Sequence, residues 1–375
     1  MSGRAGTPPA KVNLLRPLAQ SKILPNIDSR SIFGYIFKIK FLLKGETAMK
    51  RTCAVIVLAS LFLTSTVCID SAQGQSWTFK LGNATAPDHA YNVGARKYAE
   101  LVAQRTGNRV KIDIYPATQL GNERDLVEGL QLGTVDLVVT STGPLGGFVP
   151  KMFVVDLPFL FRDKEHAYKV LDGPIGKGLL DSFSPKGIKG LAFWENGFRH
   201  ITNNVRSIEK PADLKGIKIR TMENKIHLAT FRAFGASPTP MAWGEVYTAL
   251  QQKTIDAQEN PIAIIYTGKI AEVQKYLALT GHFYSPSPIL MSEKSYDSLP
   301  KDIQKIMLET AVECATFERN LLRDDEAKQL AELKAKGMQV TTPDKKPFQE
   351  AAASVYKEFE SQFGKEMIDK IINTK

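Results

Sequence analysis

The sequence predicts a two-lobed α/β fold with mainly parallel sheets and a long helix. Stretches with strand character alternate with amphipathic helical stretches from residue 77 onward, which is the order typical of α/β proteins. A helix-turn-strand pattern occurs twice, at residues 129–141 and 249–261, and predicts one such unit in each lobe. Residues 302–336 contain no Gly or Pro and have apolar residues at helical spacing, so we expect two helices there or one helix that braces both lobes.

Individual elements follow from local patterns of apolar residues. Strands are predicted where apolar residues run together or alternate with polar ones, at residues 78–84, 110–116, 134–142, 188–196 and 217–220. Helices are predicted where apolar residues recur every three or four positions, at residues 91–107, 122–133 and 164–173. The stretch GPIGKG (173–178) follows a helix and lacks the spacing of a phosphate-binding loop, so we interpret it as a plain loop.

The two repeated segments are similar in sequence as well as in their order of helix, turn and strand. GLQLGTVDLVVTS and ALQQKTIDAQENP align without a gap, and the alignment pairs Asp136 with Asp256 and Thr140 with Asn260. In both segments a helix end is followed by a turn, a Thr-[Val/Ile]-Asp sequence and a strand. This similarity predicts that each lobe contains the same local unit.

Ligands of open α/β sheets bind beyond the carboxyl ends of the strands. We therefore expect Ser141 and Thr142, which follow the strand of the first unit, to face Asn260 and Arg220 across a cleft. The cleft would separate the two lobes.

The first 75 residues have the character of a leader. They carry ten Lys and Arg against three Asp and Glu, so +7 of the net charge of +10 lies there and only +3 lies in the rest. Residues 49–75 predict a secretory signal peptide and hence a periplasmic location, with a retained anchor as the alternative. Residues 1–48 precede this signal and are interpreted as an extension from a start codon assigned too early. The remainder has no basic stripe, so we expect no nucleic acid partner.

Chemical motifs point away from catalysis. Residues 76–375 contain a single cysteine, Cys314, which excludes an intrachain disulfide and a thiolate metal cluster within that range. The five histidines are far apart and lack the spacing of zinc ligands, and no nucleophile elbow or P-loop occurs. We therefore expect no catalytic residue, no metal and no cofactor.

Polar and aromatic residues cluster instead at predicted strand ends. Arg199 and Arg220 each follow a strand, Trp243 follows a proline-stiffened turn, and Asn260 ends a fourth segment. The two guanidinium groups can each bind a carboxylate through two hydrogen bonds, and the aromatic ring and the amide can contact the rest of a ligand. Together these residues indicate a site for an organic anion. Each residue also has a structural alternative, because Trp243 could belong to the core and Arg199 could pair with an acid such as Glu195.

Several segments resemble the solute-binding proteins of TRAP transporters (tripartite ATP-independent periplasmic transporters). They are NGFRHITNN, PADLKGIKIRTMEN, GASPTPMAWGEVYTALQQ, TIDAQENP and EVQKYLALTGHFYSP, together with QLGNERDLVEGLQLGTVDLVVTS and PFLFRD for the family's N-terminal lobe. The resemblance covers nearly all of residues 77–375, and GASPTPM…EVYTALQ followed by QENP is highly specific.

The resemblance implies a periplasmic binding protein-like (type II) clamp with a long helix spanning both lobes. Lobe I would comprise residues 77–197 and about 286–325, and lobe II residues 198–285 and about 326–375. Such a protein captures a small organic acid (a dicarboxylate or sugar acid) and delivers it to the membrane permease subunits of a TRAP transporter. We expect it to act as a monomer.

The resemblance also assigns roles to single residues. Arg220 would form the main salt bridge to the ligand carboxylate, and Arg199 would be a second anion contact. Trp243 matches the aromatic contact of the family, and Asn260 matches its amide contact. By position, the resemblance adds four further ligand contacts: Ser141, Glu123, Glu223 and His89.

The chain departs from the family's pattern at three places. Lys253 stands where a turn glycine is frequent, Ala257 stands where glycine commonly precedes QENP, and Lys225 stands where proline often follows Glu-Asn. None of these changes touches Arg220, but they bear on pocket shape and loop rigidity. Trp243 in place of a smaller ring, among hydrogen-bonding side chains, hints at a polyhydroxylated acid.

Several alternatives stay open at this point. A single arginine can bind the carboxylate of a C4-dicarboxylate, a uronic or aldonic acid or a 2-oxo acid equally well. The chain could also be the binding protein of an ATP-driven importer or a sensor, a secreted two-lobed enzyme acting on an anionic substrate, or a structural or adhesion protein.

Overall fold

The computed structural model of the protein describes residues 75–375. The predicted extension (1–48) and signal peptide (49–75) lie outside the described residues, apart from Gln75. The strands are β1 (Trp77–Gly82), β2 (Val110–Tyr115), β3 (Leu137–Val139), β4 (Ile188–Phe198), β5 (His200–Asn203), β6 (Lys218–Thr221), β7 (Ser237–Pro240), β8 (Ala257–Asn260), β9 (Tyr276–Ala278), β10 (Tyr284–Ser292) and β11 (Gln339–Thr341). The helices are α1 (Ala90–Arg105), α2 (Glu123–Leu132), α3 (Lys164–Asp172), α4 (Pro174–Asp181), α5 (Lys225–Ala233), α6 (Trp243–Gln251), α7 (Ile262–Thr267), α8 (Glu293–Asp297), α9 (Lys301–Ala335), α10 (Lys346–Phe363) and α11 (Lys365–Ile372).

The strands form two sheets, one in each lobe. Sheet A has five strands in the order β2-β1-β3-β10-β4, and sheet B has six in the order β11-β9-β5-β8-β6-β7. Strands β1 to β3 pair in parallel in sheet A, as do β6, β7 and β8 in sheet B. The two-lobed α/β prediction is confirmed. The expectation of mainly parallel sheets holds only in part, because β10 and β5 are antiparallel to both of their neighbours.

The antiparallel strands arise where the chain crosses between the sheets. β4 leads from sheet A directly into β5 of sheet B, and β10 returns to sheet A beside β4. An outgoing and a returning strand that are neighbours must run in opposite directions. Pro286 and Pro288 lie within β10 and have no N–H to donate, and the register against β4 shifts at Pro286. Their carbonyl oxygens accept hydrogen bonds from the N–H groups of Thr142 (3.1 Å) and Thr140 (3.4 Å).

The predicted internal repeat is present in both sheets. Asp136, just before β3, accepts a hydrogen bond from the N–H of Lys80 (2.9 Å) and donates its own N–H to the Lys80 carbonyl (3.2 Å). Asp256, just before β8, makes the same two bonds with Lys218 (2.9 and 2.8 Å). Each aspartate thereby ties its strand to the parallel neighbour, β1 in sheet A and β6 in sheet B.

The turn of the repeated unit also has the same backbone in both copies. Gly133 has a φ of 74° and Lys253 has a φ of 59°, so both lie in the left-handed region. In each copy the next residue's N–H returns to a carbonyl near the end of the preceding helix at 3.0 Å. Lys253 therefore occupies a turn position that favours glycine.

Helix α9 is a single helix of 35 residues, about 52 Å long at 1.5 Å per residue. Ile303, Met307 and the free thiol of Cys314 lie in the core of sheet A, and Leu333 near the other end lies in a core of sheet B. The one-helix alternative is thus confirmed, because one uninterrupted helix contributes to the cores of both lobes.

The C-terminal helices also contribute to more than one core. Phe348 and Ala352 of α10 pack in the core beneath sheet B, whereas Val355 and Phe359 pack with residues of α2 and sheet A. The assignment of residues 326–375 to lobe II, like the other lobe boundaries, stays a prediction. Among residues 75–375, no helix has the length and apolar character needed to cross a membrane.

The interpretation of GPIGKG as a loop is wrong. Pro174–Asp181 form α4 directly after α3, with Pro174 at the first helical position, where the missing N–H of proline has no helical partner to lose. A Cβ added at Gly176 would lie 1.8 Å from the carbonyl oxygen of Leu171. Glycine at this position lets α4 pack against the end of α3.

Candidate ligand-binding site

A cavity lies between the lobes, where the ends of β3, β6 and β8 meet. Its polar lining consists of Thr85, Tyr91, Glu123, Thr140, Ser141, Asn196, Arg220 and Asn260. Its apolar lining consists of Ala84, Val139, Met222, Trp243 and Ile264. Both sheets contribute, which is the arrangement expected for a ligand site at strand ends.

Arg220 is the positively charged residue of this lining. It is 1% exposed, and its Nε donates to the carbonyl of Met241 at 2.8 Å. Its two terminal nitrogens donate to no atom of residues 75–375, and its Cζ lies 5.9 Å from the ring centroid of Trp243. Burial lowers the pKa of Arg220 to about 10, although the charge of Glu123 opposes this fall, so the side chain stays protonated at neutral pH. A buried cation with two free nitrogens can bind a carboxylate through both oxygens.

Glu123 contributes the negative charge of the cavity. It is the first residue of α2, whose first turn is fixed by a hydrogen bond from the N–H of Asn122 to the carboxylate of Asp125 (2.9 Å). One carboxylate oxygen of Glu123 accepts hydrogen bonds from the hydroxyls of Ser141 (2.8 Å) and Thr140 (3.3 Å). The cavity thus holds one cation and one anion, each on a different lobe.

Two amides complete the polar lining. The Nδ2 of Asn260 donates to Gln258 (2.6 Å), and Gln258 donates in turn to Thr202 (2.8 Å), which leaves the Oδ1 of Asn260 as the acceptor for a ligand. The Oδ1 of Asn196 is buried and accepts no hydrogen bond within the described part of the chain. Both amides can therefore accept from hydroxyl groups.

Arg199 is one of the three predicted residues that do not line the cavity. Its Nε and Nη2 donate to the two carboxylate oxygens of Glu259 at 2.5 and 2.8 Å, and both residues are fully buried. The ring of His282 lies 3.1 Å from the same carboxylate. Burial raises the pKa of Glu259, but the charge of Arg199 and the hydrogen bonds outweigh it, so that pKa lies below its ordinary value. Arg199 is held by a protein carboxylate, and the partner is Glu259 rather than Glu195.

Glu223 and His89 are the other two predicted ligand contacts that do not line the cavity. Glu223 lies outside the cavity lining, with 38% of its side chain exposed and one oxygen 3.9 Å from Arg124. His89 is fully buried, caps α1 by accepting the N–H of Tyr91 (3.2 Å), and packs edge-on against that ring. Burial lowers the pKa of His89 to about 3, so it is neutral. His89 therefore supports Tyr91, which does line the cavity.

The cavity also includes residues that the sequence patterns do not single out. Tyr91 follows the predicted His89 by two positions, and Met222 follows Arg220 by two, so both were close to residues that carried a signal. Asn196 begins the segment NGFRHITNN, but the sequence patterns assign it no role of its own. Conversely, the expectation for Thr142 is wrong, because its hydroxyl points away and donates to Asp156 at 2.6 Å. No group of three or more His, Cys, Asp or Glu side chains within residues 75–375 is arranged to hold a metal ion.

Comparison with known proteins identifies the family. Residues 81–362 match the family described as bacterial extracellular solute-binding protein, family 7 (DctP). A solute-binding protein of Verminephrobacter eiseniae is 47% identical over 295 residues, which are 78% of this chain and 88% of that protein. The structure of a TRAP periplasmic solute-binding protein from Polaromonas sp. JS666, bound to D-erythronate, has a TM-score of 0.79 and 46% identity and covers 80% of this chain and 99% of that one. A TRAP solute-binding protein from Sulfurospirillum deleyianum with bound succinate has a TM-score of 0.77 and 33% identity, covering 80% of this chain and 100% of that one.

These matches agree with the architecture. The relatives are covered over most of their length, and the solved structures share the two-lobed fold. They are solute-binding proteins of transporters, and no match among them is to an enzyme. The chain belongs to bacterial extracellular solute-binding protein family 7, the solute-binding proteins of TRAP transporters.

Proposed function

We propose that this protein captures a hydroxylated monocarboxylate in the periplasm and delivers it, as a monomer without a cofactor, to the membrane permease of a TRAP transporter. The observation that carries the proposal is the buried side chain of Arg220, whose two terminal nitrogens donate to no atom of the described residues 75–375. A ligand carboxylate would bind there through both oxygens, with the ring of Trp243 beside the pair.

The charge balance of the cavity favours one carboxylate over two. Arg220 matches a single negative charge, and Glu123 on the facing lobe would repel a second one. The free acceptors of Glu123, Asn196 and Asn260 instead suit hydroxyl groups, which can donate to them. The site therefore suits an acid with one carboxylate and several hydroxyls.

The relatives supply two probes of the same carbon number. D-erythronate is a four-carbon acid with one carboxylate and three hydroxyls, and it is bound to the relative that is 46% identical. Succinate is a four-carbon acid with two carboxylates, and it is bound to the relative that is 33% identical. The two ligands differ in the number of carboxylates, and Glu123 would repel the second carboxylate of succinate.

The capture step is a closure of the two lobes around the acid. Closure removes water from the carboxylate and the guanidinium, and a charge-assisted pair is stronger when both groups are desolvated. The ligand must bind the closed form more tightly than the open form, since only that difference can shift the equilibrium.

The test is thermal unfolding of the purified protein against a panel of organic acids, followed by calorimetry. A ligand that binds only the folded state raises the melting temperature as its concentration rises. We expect D-erythronate or a related aldonate to raise it and succinate to have little effect. A larger shift with succinate, or none with any hydroxylated acid while mass spectrometry finds no retained ligand, would contradict the proposal.

Glu123→Gln tests the charge argument directly. The change removes the negative charge and keeps the shape, so we expect the succinate affinity to rise at least tenfold relative to the erythronate affinity, or about 1.4 kcal/mol. Glu223→Gln is the matched control, because Glu223 is partly exposed and lies outside the cavity lining. Equal changes in both variants would mean that overall charge, and not Glu123, decides the preference.

A further inference from the structure

Asp156 is a buried acid that contacts both halves of the ligand site without lining the cavity. It ends the 3₁₀ helix Pro150–Asp156 and is 1% exposed. One carboxylate oxygen accepts the hydroxyl of Thr142 at 2.6 Å, and the other accepts the Nδ2 of Asn224 at 2.7 Å. Thr142 follows β3 of sheet A, and Asn224 follows β6 of sheet B.

The two partners belong to the segments that carry the ligand-facing side chains. Thr142 comes directly after Ser141, and Asn224 comes four residues after Arg220. The segments also touch each other, since the Oγ of Ser141 lies 3.2 Å from the sulfur of Met222. In the conformation that the structure shows, this join sets the position of Ser141 relative to Arg220.

Further contacts leave little freedom at this join. The Nδ2 of Asn224 also donates to the carbonyl of Gly143 (3.0 Å), and its Oδ1 accepts the N–H groups of Ile226 and His227 at the start of α5. A Cβ added at Gly143 would lie 2.5 Å from the terminal methyl of Met222. The amide of Asn224 is therefore fully engaged, and Asp156 is the group that links it to Thr142.

We propose that Asp156 is a positioning residue for ligand capture, which holds the Ser141 segment and the Arg220 segment at the separation that a bound acid requires. The proposal rests on the proposed function for the identity of the ligand. Asp156 itself does not touch the ligand and acts through Thr142 and Asn224.

The chemistry of the three groups predicts which substitution preserves the join. Asn224 can only donate through its Nδ2, whereas the hydroxyl of Thr142 can donate or accept. Asparagine at position 156 could accept from Asn224 with its oxygen and donate to Thr142 with its nitrogen. Burial raises the pKa of Asp156 to about 7, which agrees with a site where a neutral side chain fits. We therefore expect Asp156→Asn to keep the join and Asp156→Ala to break it.

The control variant is Asp136→Ala. Asp136 also accepts two hydrogen bonds, from the N–H of Lys80 and the hydroxyl of Ser295, but it lies at the opposite end of β3 from the cavity. Both alanine variants should lose stability. Only the loss of the Asp156 join should disturb the ligand site.

The first measurement is the Kd for D-erythronate by calorimetry, under conditions in which each variant is at least 95% folded, so that lost stability alone does not change the Kd. We expect Asp156→Ala to weaken binding at least tenfold, Asp156→Asn to stay within about threefold, and Asp136→Ala within about twofold of the unchanged protein. Equal weakening in both alanine variants, or none in Asp156→Ala, would overturn the proposal.

The second measurement needs no ligand. Amide hydrogen exchange should speed up at residues 140–143 and 221–224 together in Asp156→Ala, by about tenfold, and stay unchanged there in Asp156→Asn. If only one segment responds, or neither, Asp156 does not join them. An unchanged protein that binds no acid would contradict the proposed function, and the exchange comparison would still decide the role of Asp156.

Discussion

Arg199 and Glu259 form a fully buried, two-pronged ion pair, with Nε and Nη2 of the arginine 2.5 and 2.8 Å from the two carboxylate oxygens. The pair engages Nε and Nη2 of Arg199, whereas Nη1 is buried and donates to no atom of residues 75–375, so a ligand contact of Arg199 stays a prediction. Glu259 belongs to β8 and Arg199 lies between β4 and β5, so the bond fixes the crossing strand against sheet B. Removing one partner would leave the other charge buried and uncompensated.

Glu259→Gln should therefore reduce the free energy of unfolding by roughly 3–5 kcal/mol, as expected when one member of a buried pair is neutralised. The measurement is urea unfolding at neutral pH. The matched control is Glu313→Gln, which neutralises the surface pair of Glu313 with Arg105 (2.6 Å, side chains 54% and 36% exposed) and should cost less than about 1 kcal/mol. Similar losses in both variants would show that the buried pair is no more important than the surface pair.

Arg220→Ala should weaken binding of the cognate acid by roughly 2–5 kcal/mol, the range for truncating one member of a desolvated charge pair. Arg220→Lys should recover only part of this loss, since an ammonium group cannot make two parallel hydrogen bonds to a carboxylate. Calorimetry with the acid found in the panel measures both. Arg124→Ala is the control, because the side chain of Arg124 is 41% exposed and does not line the cavity. An alanine variant at position 220 with unchanged affinity would remove Arg220 from the site.

Lys253→Gly should stabilise the protein by about 1 kcal/mol, because glycine relieves the strain of an L-residue in the left-handed region. Gly133→Ala, the reverse change in the other copy of the repeated unit, should destabilise it by a similar amount. No heavy atom lies within 4 Å of a Cβ built at Gly133, so the cost would come from the backbone alone. Urea unfolding measures the free energy of unfolding of both variants. Changes of the same sign in the two variants would contradict the prediction.

The pH dependence of stability should change in Asp156→Asn. Burial raises the pKa of Asp156 to about 7, from an ordinary value of 3.8, so the folded state takes up a proton that the unfolded state lacks between these values. The stability that this proton contributes is present in full below about pH 4 and is lost as the pH rises through 7. Relative to the unchanged protein, the variant should therefore gain on the order of 2–4 kcal/mol between pH 4 and pH 8. Parallel stability curves for the two proteins would contradict this expectation.

Local sequence patterns predicted the parts of the fold that depend on local chemistry. The repeated helix-turn-strand unit was predictable because its aspartate, turn and strand are contiguous in each copy. The sequence patterns predict no strand at β10, and Pro286 and Pro288 are unfavourable residues for a central strand. The structure accommodates them with a register shift and with carbonyl acceptors for Thr140 and Thr142, which only the assembled sheet reveals.

The site was predictable to a similar extent. Arg220, Trp243 and Asn260 follow strand ends, and the structure brings them to one cavity together with Ser141 and Glu123. Their contact with a ligand stays a prediction. Arg199 follows a strand end in the same way, but Glu259 is 60 residues away in sequence and pairs with it only in the folded chain. The position of a residue at a strand end thus predicts that it lies near the cavity. Whether a charged side chain lines the cavity depends on its ion-pair partner in the folded chain.

The position of β10 has a consequence for the order in which sheet A is completed. β10 lies between β3 and β4, although β4 ends 86 residues before the first residue of β10. A chain that emerges from the ribosome with its N-terminus first has made four strands of sheet A, yet β3 and β4 lack the partner that joins them until residue 292 follows. Long-range pairing of this kind is slow to form. The late position of β10 in the sequence therefore delays completion of sheet A until most of the chain has been made.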